Sequence, residues 1–252
     1  MSKHHLVLCE LADAGLPSHE SYSPFCLKVH RALRAAGLPY LRRHGAQPAT
    51  HKKLNPTGQV PVLLIDGRPI ADSTEIVRHI RELAPGKLHA DAEAWLWEEL
   101  ADTSLSGFLV AARWADERNW PRTREAYFHE APGFVRKLIV PRLRKHVIEG
   151  LNARDVWRAG AERCWARFGS LLDSLEARAP QLGFWCGPSL SVADVALFAQ
   201  LHSLRTPLTE WQHGELVKRK RLSTWLDRVH EETRCAAPID SSGSSSYSAA
   251  AS

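Results

Sequence analysis

Asn55-Pro56-Thr57-Gly58-Gln59-Val60-Pro61-Val62-Leu63-Leu64-Ile65 is the stretch on which the fold turns. Val60 to Ile65 is a short apolar run, the pattern of a buried strand. The four residues ahead of Gln59 are turn formers. A proline directly before a buried strand is a candidate cis peptide. Such a bend leaves the N–H and C=O of Val60 pointing outward, free to pair with an extended peptide. The same residues also read as an ordinary loop entering a strand.

Working outward, Asp66-Gly67 turns the chain into a short strand at Arg68-Pro69-Ile70. Asp72, with Glu75 three residues on, forms a capping-box pattern ahead of Ile76, Val77, Ile80 and Leu83, and Pro85-Gly86 closes that helix. Upstream, Leu6-Val7-Leu8-Cys9 reads as a buried strand, followed by a polar loop from Asp13 to Ser21. Ser23 fits an N-cap, Pro24 the first helical position and Gly37 the position just past the end. The helix between them carries Phe25, Val29, Ala32, Leu33 and Ala36 on one face. Pro39 to Arg43 supplies a further strand. The first third thus alternates strands and helices.

From Asp91 the texture is helical. Trp95, Leu96, Leu100, Leu105, Phe108 and Leu109 recur at helical spacing, and Asp155 to Ala179 reads as one helix. Ser191-Val192-Ala193-Asp194 is an N-capping box, flanked by Leu190 and Val195 as a hydrophobic staple. A last helix ends near Glu232, and the Ser-rich end from about residue 237 has the composition of a disordered tail. The boundaries expected are 1–86, 91–236 and 237–252.

Composition narrows the class. The chain has 252 residues, 44% hydrophobic and 24% charged, as in ordinary globular proteins. No apolar run is long enough for a membrane span, and the opening run Leu6–Cys9 is too short for a signal-peptide core. Five irregularly placed cysteines make neither a disulfide framework nor a CxxC site, so a reducing cytoplasm is expected. His44, His51, His79 and His129 show no ligand spacing, and no metal is assigned. The net charge is +5, but only Lys218-Arg219-Lys220-Arg221 is a dense cationic run. It reads as a solvated helix start, and no nucleic-acid partner is expected. The tryptophans Trp95, Trp97, Trp114 and Trp120 read mainly as core.

Three constellations carry chemistry. Ser23 to Cys26 sits at a helix N-terminus, whose N–H groups and dipole stabilise an anion such as a thiolate. A cysteine there has a lowered pKa, and a serine there donates to the thiolate of a ligand. Val60-Pro61 offers backbone to an extended peptide. Asp72-Ser73, at another helix start, pairs a carboxylate and a hydroxyl with N–H groups, a match for the two charges of an amino-acid terminus. Taken singly, each also reads as capping or packing.

Together, in this order, "NPTGQVPVL" and "DSTEIVRHI" resemble the glutathione-binding domain of glutathione S-transferases, and "SVAD" resembles the box that starts the core helix of their helical domain. The resemblance implies an α/β thioredoxin-like N-terminal domain with a mixed four-stranded sheet, then an all-α helical bundle. It implies that Pro61 is cis, that the Val60 backbone pairs with the cysteinyl unit of glutathione and that Asp72 and Ser73 hold the γ-glutamyl end. Gln59 and Lys53 then lie near the γ-glutamyl or glycyl ends. Glutathione is the implied co-substrate, an electrophilic small molecule the acceptor, and a homodimer the assembly. "SPFCLKVHRALRAAGLPY" and "NWPRTREAYF" look like the metaxin-like and failed-axon-connections-like branch, where conjugating activity is less secure. Ser-Pro-Phe-Cys stands where glutaredoxins have Cys-Pro-Tyr-Cys, so a dithiol cycle is not available to Cys26. Ser23 and Cys26 are the catalytic candidates for a transferase. A non-catalytic scaffold and a monothiol oxidoreductase using Cys26 are the alternatives.

Overall fold

The computed structural model describes residues 4–16, 19–45, 48–153 and 156–234. Residues up to Leu88, with the last helical turn from Glu231, form one compact unit, and His89–His230 form the other. The tail expected at 237–252 and the helix start expected at Asp155 lie outside the described residues.

In the first unit, β1 (Leu6–Leu11), β2 (Leu41–Gly45), β3 (Val62–Ile65) and β4 (Arg68–Ala71) form one sheet in the order β2-β1-β3-β4. β2 runs parallel to β1, whereas β3 and β4 are antiparallel to their neighbours, so the sheet is mixed as expected. The parallel pair needs a crossover, and α1 (Pro24–Ala35) is that crossover. α2 (Ser73–Leu83) follows β4 directly. Val7, Cys9, Val62 and Leu64 make a core on one sheet face. Leu6, Leu8 and Glu10 point to the other, where His30 of α1 bonds Glu10 and fixes the side on which α1 lies.

α1 begins and ends by local chemistry. Ser23 is the N-cap, its Oγ accepting from Cys26 N–H, and Pro24 takes the first position. At the other end Gly37 has φ +66°, its N–H donates to Arg34 C=O at 2.9 Å, and Leu38 N–H donates to Leu33 C=O at 3.0 Å. That pair of bonds is a Schellman closure, with buried Leu33 and Leu38 as its apolar contact.

The second unit is helical: α3 (Ala92–Leu100), α4 (Ser106–Val110), α5 (Trp120–Phe128), α6 (Val140–Ala153), α7 (Gly160–Arg178), α8 (Val192–His202), α9 (Glu210–Val217) and α10 (Lys220–Arg234), the last ending in the first unit. Two expectations need correction. Wider π turns at Ala101–Leu105 and Ala111–Ala115 interrupt the helical run that starts with α3. Each rotates the buried face against a steady helical period. Within α3 itself Ala94 and Glu98 face inward and Leu96 is 71% exposed, whereas Leu105, Phe108 and Leu109 beyond the first π turn do face the core. The helix expected from Asp155 begins at Gly160, which has φ +84° and donates its N–H to Trp157 C=O, closing a turn instead of continuing a helix.

α8 is buried along its whole length, and its start is tied down accordingly. Asp194 Oδ2 accepts from Ser191 N–H at 2.9 Å and Ser191 Oγ–H at 2.5 Å. Its Oδ1 accepts from Trp185 N–H at 2.8 Å and Trp225 Nε1–H at 2.9 Å. Burial nonetheless raises the pKa of this carboxyl, against the pull of the donors.

Candidate functional site

The register of the sheet assembles the three constellations. Val62 pairs with Cys9 on one side and with Ala71 on the other. Pro61 and Asp72, one residue beyond each, therefore lie at the same sheet end, the end from which β1 leaves toward α1. The Val60–Pro61 peptide is cis. Lys28, fully buried on α1, donates Nζ–H to Thr74 Oγ1 at 3.2 Å and ties the start of α1 to the start of α2. Ser23, Val60-Pro61 and Asp72-Ser73 are thus neighbours by construction.

Asp72 is the strained member. It caps α2, with Oδ1 accepting from Thr74 N–H at 2.9 Å and Glu75 N–H at 3.2 Å. Glu75 instead pairs with Arg78 at 3.4 Å. The Asp72 backbone sits at φ 75°, ψ 128°. A non-glycine residue held there costs about 1–3 kcal/mol, the kind of outlier that clusters at ligand-binding positions. The carboxylate is exposed while Ser73 beside it is buried.

The loop before Pro61 is knotted by Asn55, which the sequence reading quoted but gave no role. Its Nδ2–H donates to Gln59 C=O at 3.0 Å, and its Oδ1 accepts from Thr57 N–H and Oγ1–H at 3.2 and 3.0 Å. Thr57 Oγ1 in turn accepts from Gln59 N–H at 3.2 Å. The spacing Asn-x-Thr is the signature of an Asx turn and was available as a signal. The knot presents Val60, whose backbone makes no hydrogen bond among the described residues. Lys53 and Gln59 are exposed on the same loop.

At α1 the two catalytic candidates separate. Ser23 is half-buried, held by its N–H donating to Ser21 Oγ at 3.2 Å. Its oxygen accepts from Cys26 N–H at 3.3 Å, and its O–H keeps a hydrogen that it can donate. Cys26 is wholly buried, and burial, with the nearby Glu10 charge, pushes its thiol up to about 12. The lowered pKa expected of a cysteine at this place is therefore corrected: desolvation outweighs the helix dipole.

Beneath the loop that carries Ser21 and Ser23 lies a buried ionic network that the sequence reading missed. Glu10 accepts from His30 Nε2–H at 3.0 Å and from Arg42 Nε–H at 2.6 Å. Arg42 also donates to Asp13 Oδ2 at 2.7 Å and to Glu20 C=O at 2.6 Å, clamping both ends of the loop. Glu20 pairs with Arg31 at 3.1 Å and with Arg34. Burial alone would raise both carboxyls; the His30 and Arg42 bonds pull Glu10 well below its usual value, and the Arg31 and Arg34 charges lower Glu20. His30 Nδ1 bonds Tyr40 OH at 2.6 Å, and burial pushes that phenol up to about 12. A glutamate near the end of an apolar strand, and Lys28, His30 and Arg31 within four residues of a core helix, were the available signals.

The basic run from Lys218 is largely paired within the chain. Lys218 meets Glu215 at 2.5 Å, Arg219 meets Asp173 and Glu215 at 2.8 Å, and the guanidinium of Arg221 donates to Ala179 C=O. No helix among the described residues is long and apolar enough to cross a membrane.

Comparison with known proteins agrees with this architecture. Residues 24–119 match the family model of the glutathione S-transferase N-terminal domain, and residues 158–228 match that of the C-terminal domain. Over 100 residues the chain is 33% identical to glutathione transferase GST 23 of Zea mays; the match covers 34% of this chain and 44% of the maize protein. Among solved structures, the beta-etherase LigF from Sphingobium sp. strain SYK-6 superposes with a TM-score of 0.60 at 20% identity, over 93% of this chain and 99% of that one. Rice GST1, solved in complex with glutathione, gives a TM-score of 0.55 at 18% identity, over 93% and 92% of the two chains. At these identities the two structures speak to the fold alone.

Proposed function

We propose that this chain, placed in the glutathione S-transferase family by its N- and C-terminal domains, binds glutathione and transfers its thiolate to an electrophilic small molecule. The observation that carries the reading is the convergence of Ser23, the unbonded Val60 backbone and the strained Asp72 at one end of the sheet. Val60 pairs with the cysteinyl unit through its N–H and C=O. Asp72 and Ser73 take the γ-glutamyl end, Asp72 through its charge on the ammonium group. Lys53 and Gln59 reach the outer ends of the tripeptide.

Ser23 then does the electronic work. Its O–H donates to the sulfur and, with the α1 N-terminus, stabilises the thiolate, because the thiolate and not the thiol attacks. The thiol proton passes to solvent, a sulfur lone pair forms the S–C bond, and the leaving group departs with its electron pair. Cys26 takes no part: its sulfur is enclosed, which weighs against the oxidoreductase alternative. The internal pairing of the Lys218 run weighs against the scaffold alternative. A cytoplasmic homodimer acting on foreign electrophiles, in the metaxin-like branch that "SPFCLKVHRALRAAGLPY" resembles, completes the proposal.

The test is turnover of an activated aryl chloride by the full chain and by Ser23→Ala. A drop in kcat of about tenfold or more, with glutathione affinity kept, is expected from loss of one hydrogen bond to the thiolate. Unchanged turnover removes Ser23 from the mechanism.

A further inference from the structure

The helical unit leaves one apolar helix face open. A wider π turn at Val135–Ile139 runs directly into α6, whose inner side is marked by buried Val140 and Leu151. On the outer side Phe134 is 64% exposed, Leu138 57%, Ile139 49% and Leu143 39%. Phe134 and Leu138 are four residues apart, as are Ile139 and Leu143, so the side chains form adjacent rows on one face. Among the described residues seven large apolar side chains are this exposed, and four of them fall here. Single exposures scattered over a surface are ordinary, whereas a cluster marks an interaction site.

The same stretch is basic without a counterweight. Residues 131–148 include Arg136, Lys137, Arg142, Arg144 and Lys145 and no carboxylate; the nearest acids in sequence are Glu130 and Glu149. Arg144 is committed within the chain, to Trp114 C=O at 2.8 Å and Glu117 at 2.7 Å. Lys145 lies 3.8 Å from Glu149, an exposed pair of little strength. Arg142 reaches only its own helix, donating to Leu138 C=O at 2.9 Å. Arg136 and Lys137 are exposed and have no ion pair and no side-chain hydrogen bond among the described residues.

This combination selects the occupant. A second copy is a poor match, since two such helices face to face set cation against cation with no acid between them. An acidic protein surface calls for cations held in a set geometry, and Arg136 and Lys137 are held by nothing. A lipid surface fits both halves: fluid phosphates meet long, unanchored cationic chains, and the headgroup boundary admits projecting apolar side chains. We infer that the face from Phe134 to Lys145 docks on an anionic phospholipid surface. Phe134, Leu138, Ile139 and Leu143 enter the headgroup boundary, and Arg136, Lys137, Arg142 and Lys145 pair with phosphates. The face shares no residue with the site proposed for glutathione, and the inference does not depend on that proposal.

The test is flotation of the full chain with vesicles of phosphatidylcholine alone and of equal parts phosphatidylcholine and phosphatidylglycerol. It is repeated on Phe134→Ser/Leu138→Ser and on Arg136→Gln/Lys137→Gln. All four side chains are exposed, so both variants keep the fold, with circular dichroism as the check. The expected result is association with the anionic vesicles about tenfold or more tighter than with the neutral ones and weakened by salt. Each double variant should lower it by about tenfold or more. The inference is overturned by no association with the anionic vesicles, by equal association with both kinds, or by unaltered binding of either folded variant. Tighter association with soluble poly-glutamate than with the anionic vesicles would assign the face to an acidic protein instead. A dimer that Phe134→Ser/Leu138→Ser dissolves would assign it to a second copy, and either result overturns the inference.

Discussion

Ser23 and Cys26 lie three positions apart at the start of one helix, and burial divides their chemistry. Cys26→Ala is expected to leave turnover within about twofold of the parent, in contrast to the Ser23→Ala loss, with steady-state rates as the check. Asp72 invites a sharper experiment because its backbone strain and its carboxylate can be varied separately. Asp72→Gly relieves the φ of 75° while removing the cap, so its stability stays close to the parent. Asp72→Ala keeps the strain and loses the cap, and denaturant melts should place it about 1–2 kcal/mol lower. Both lose glutathione affinity. Ser23 and Asp72 were legible in the sequence because capping is local, set by a short side chain and the next three N–H groups. The burial of Cys26 follows the packing alternative that the sequence offered, while the charged surroundings that enclose it, Glu10 among them, come only with the fold.

Among the elements, the β1–α1 loop has the most unusual support. Its clamp is ionic and buried, and the sign of its pH dependence follows from the lowered pKa values of Glu10 and Glu20. Depressed carboxyls stabilise the fold above their unfolded pKa, about 4.3 for glutamate, and that stability is lost as pH falls from there through the folded values. Urea melts should therefore show stability falling steeply below about pH 4.5. Glu20→Gln should cost about 3 kcal/mol at pH 7 and progressively less in acid, where the parent loses the same charge. At α8, Asp194→Ala strands three partners beyond the cap itself, Trp185 N–H, Trp225 Nε1–H and Ser191 Oγ–H, and should destabilise by about 3 kcal/mol in the same melts. Helix starts and stops were readable from Ser-Pro, Gly37 and the Ser191 box. The π turns were not, since they break the period on which the reading depends. The clamp escaped because it joins Glu10, Glu20, Arg31 and Arg42, charges that look solvated until the chain folds over them.

At the scale of the whole molecule, the charge of +5 turns out to be a poor guide to partners. Much of the dense basic run is spent on neighbouring acids and carbonyls. The two-part architecture was legible because strand alternation stops near Leu88 and helical spacing takes over. The pairing of two of the three motifs has a related origin: Val60-Pro61 precedes β3 and Asp72 follows β4, so the register sets them at one sheet end, whereas the place of Ser23 depends on the α1 crossover. Glutathione recognition is the claim on which the rest depends, and calorimetric titration of the full chain with glutathione, alongside Asp72→Ala, tests it most directly. The account predicts saturable binding in the micromolar to millimolar range, weakened about tenfold or more by the substitution. A folded protein that gives no binding isotherm, or one whose affinity is indifferent to Asp72, would contradict it.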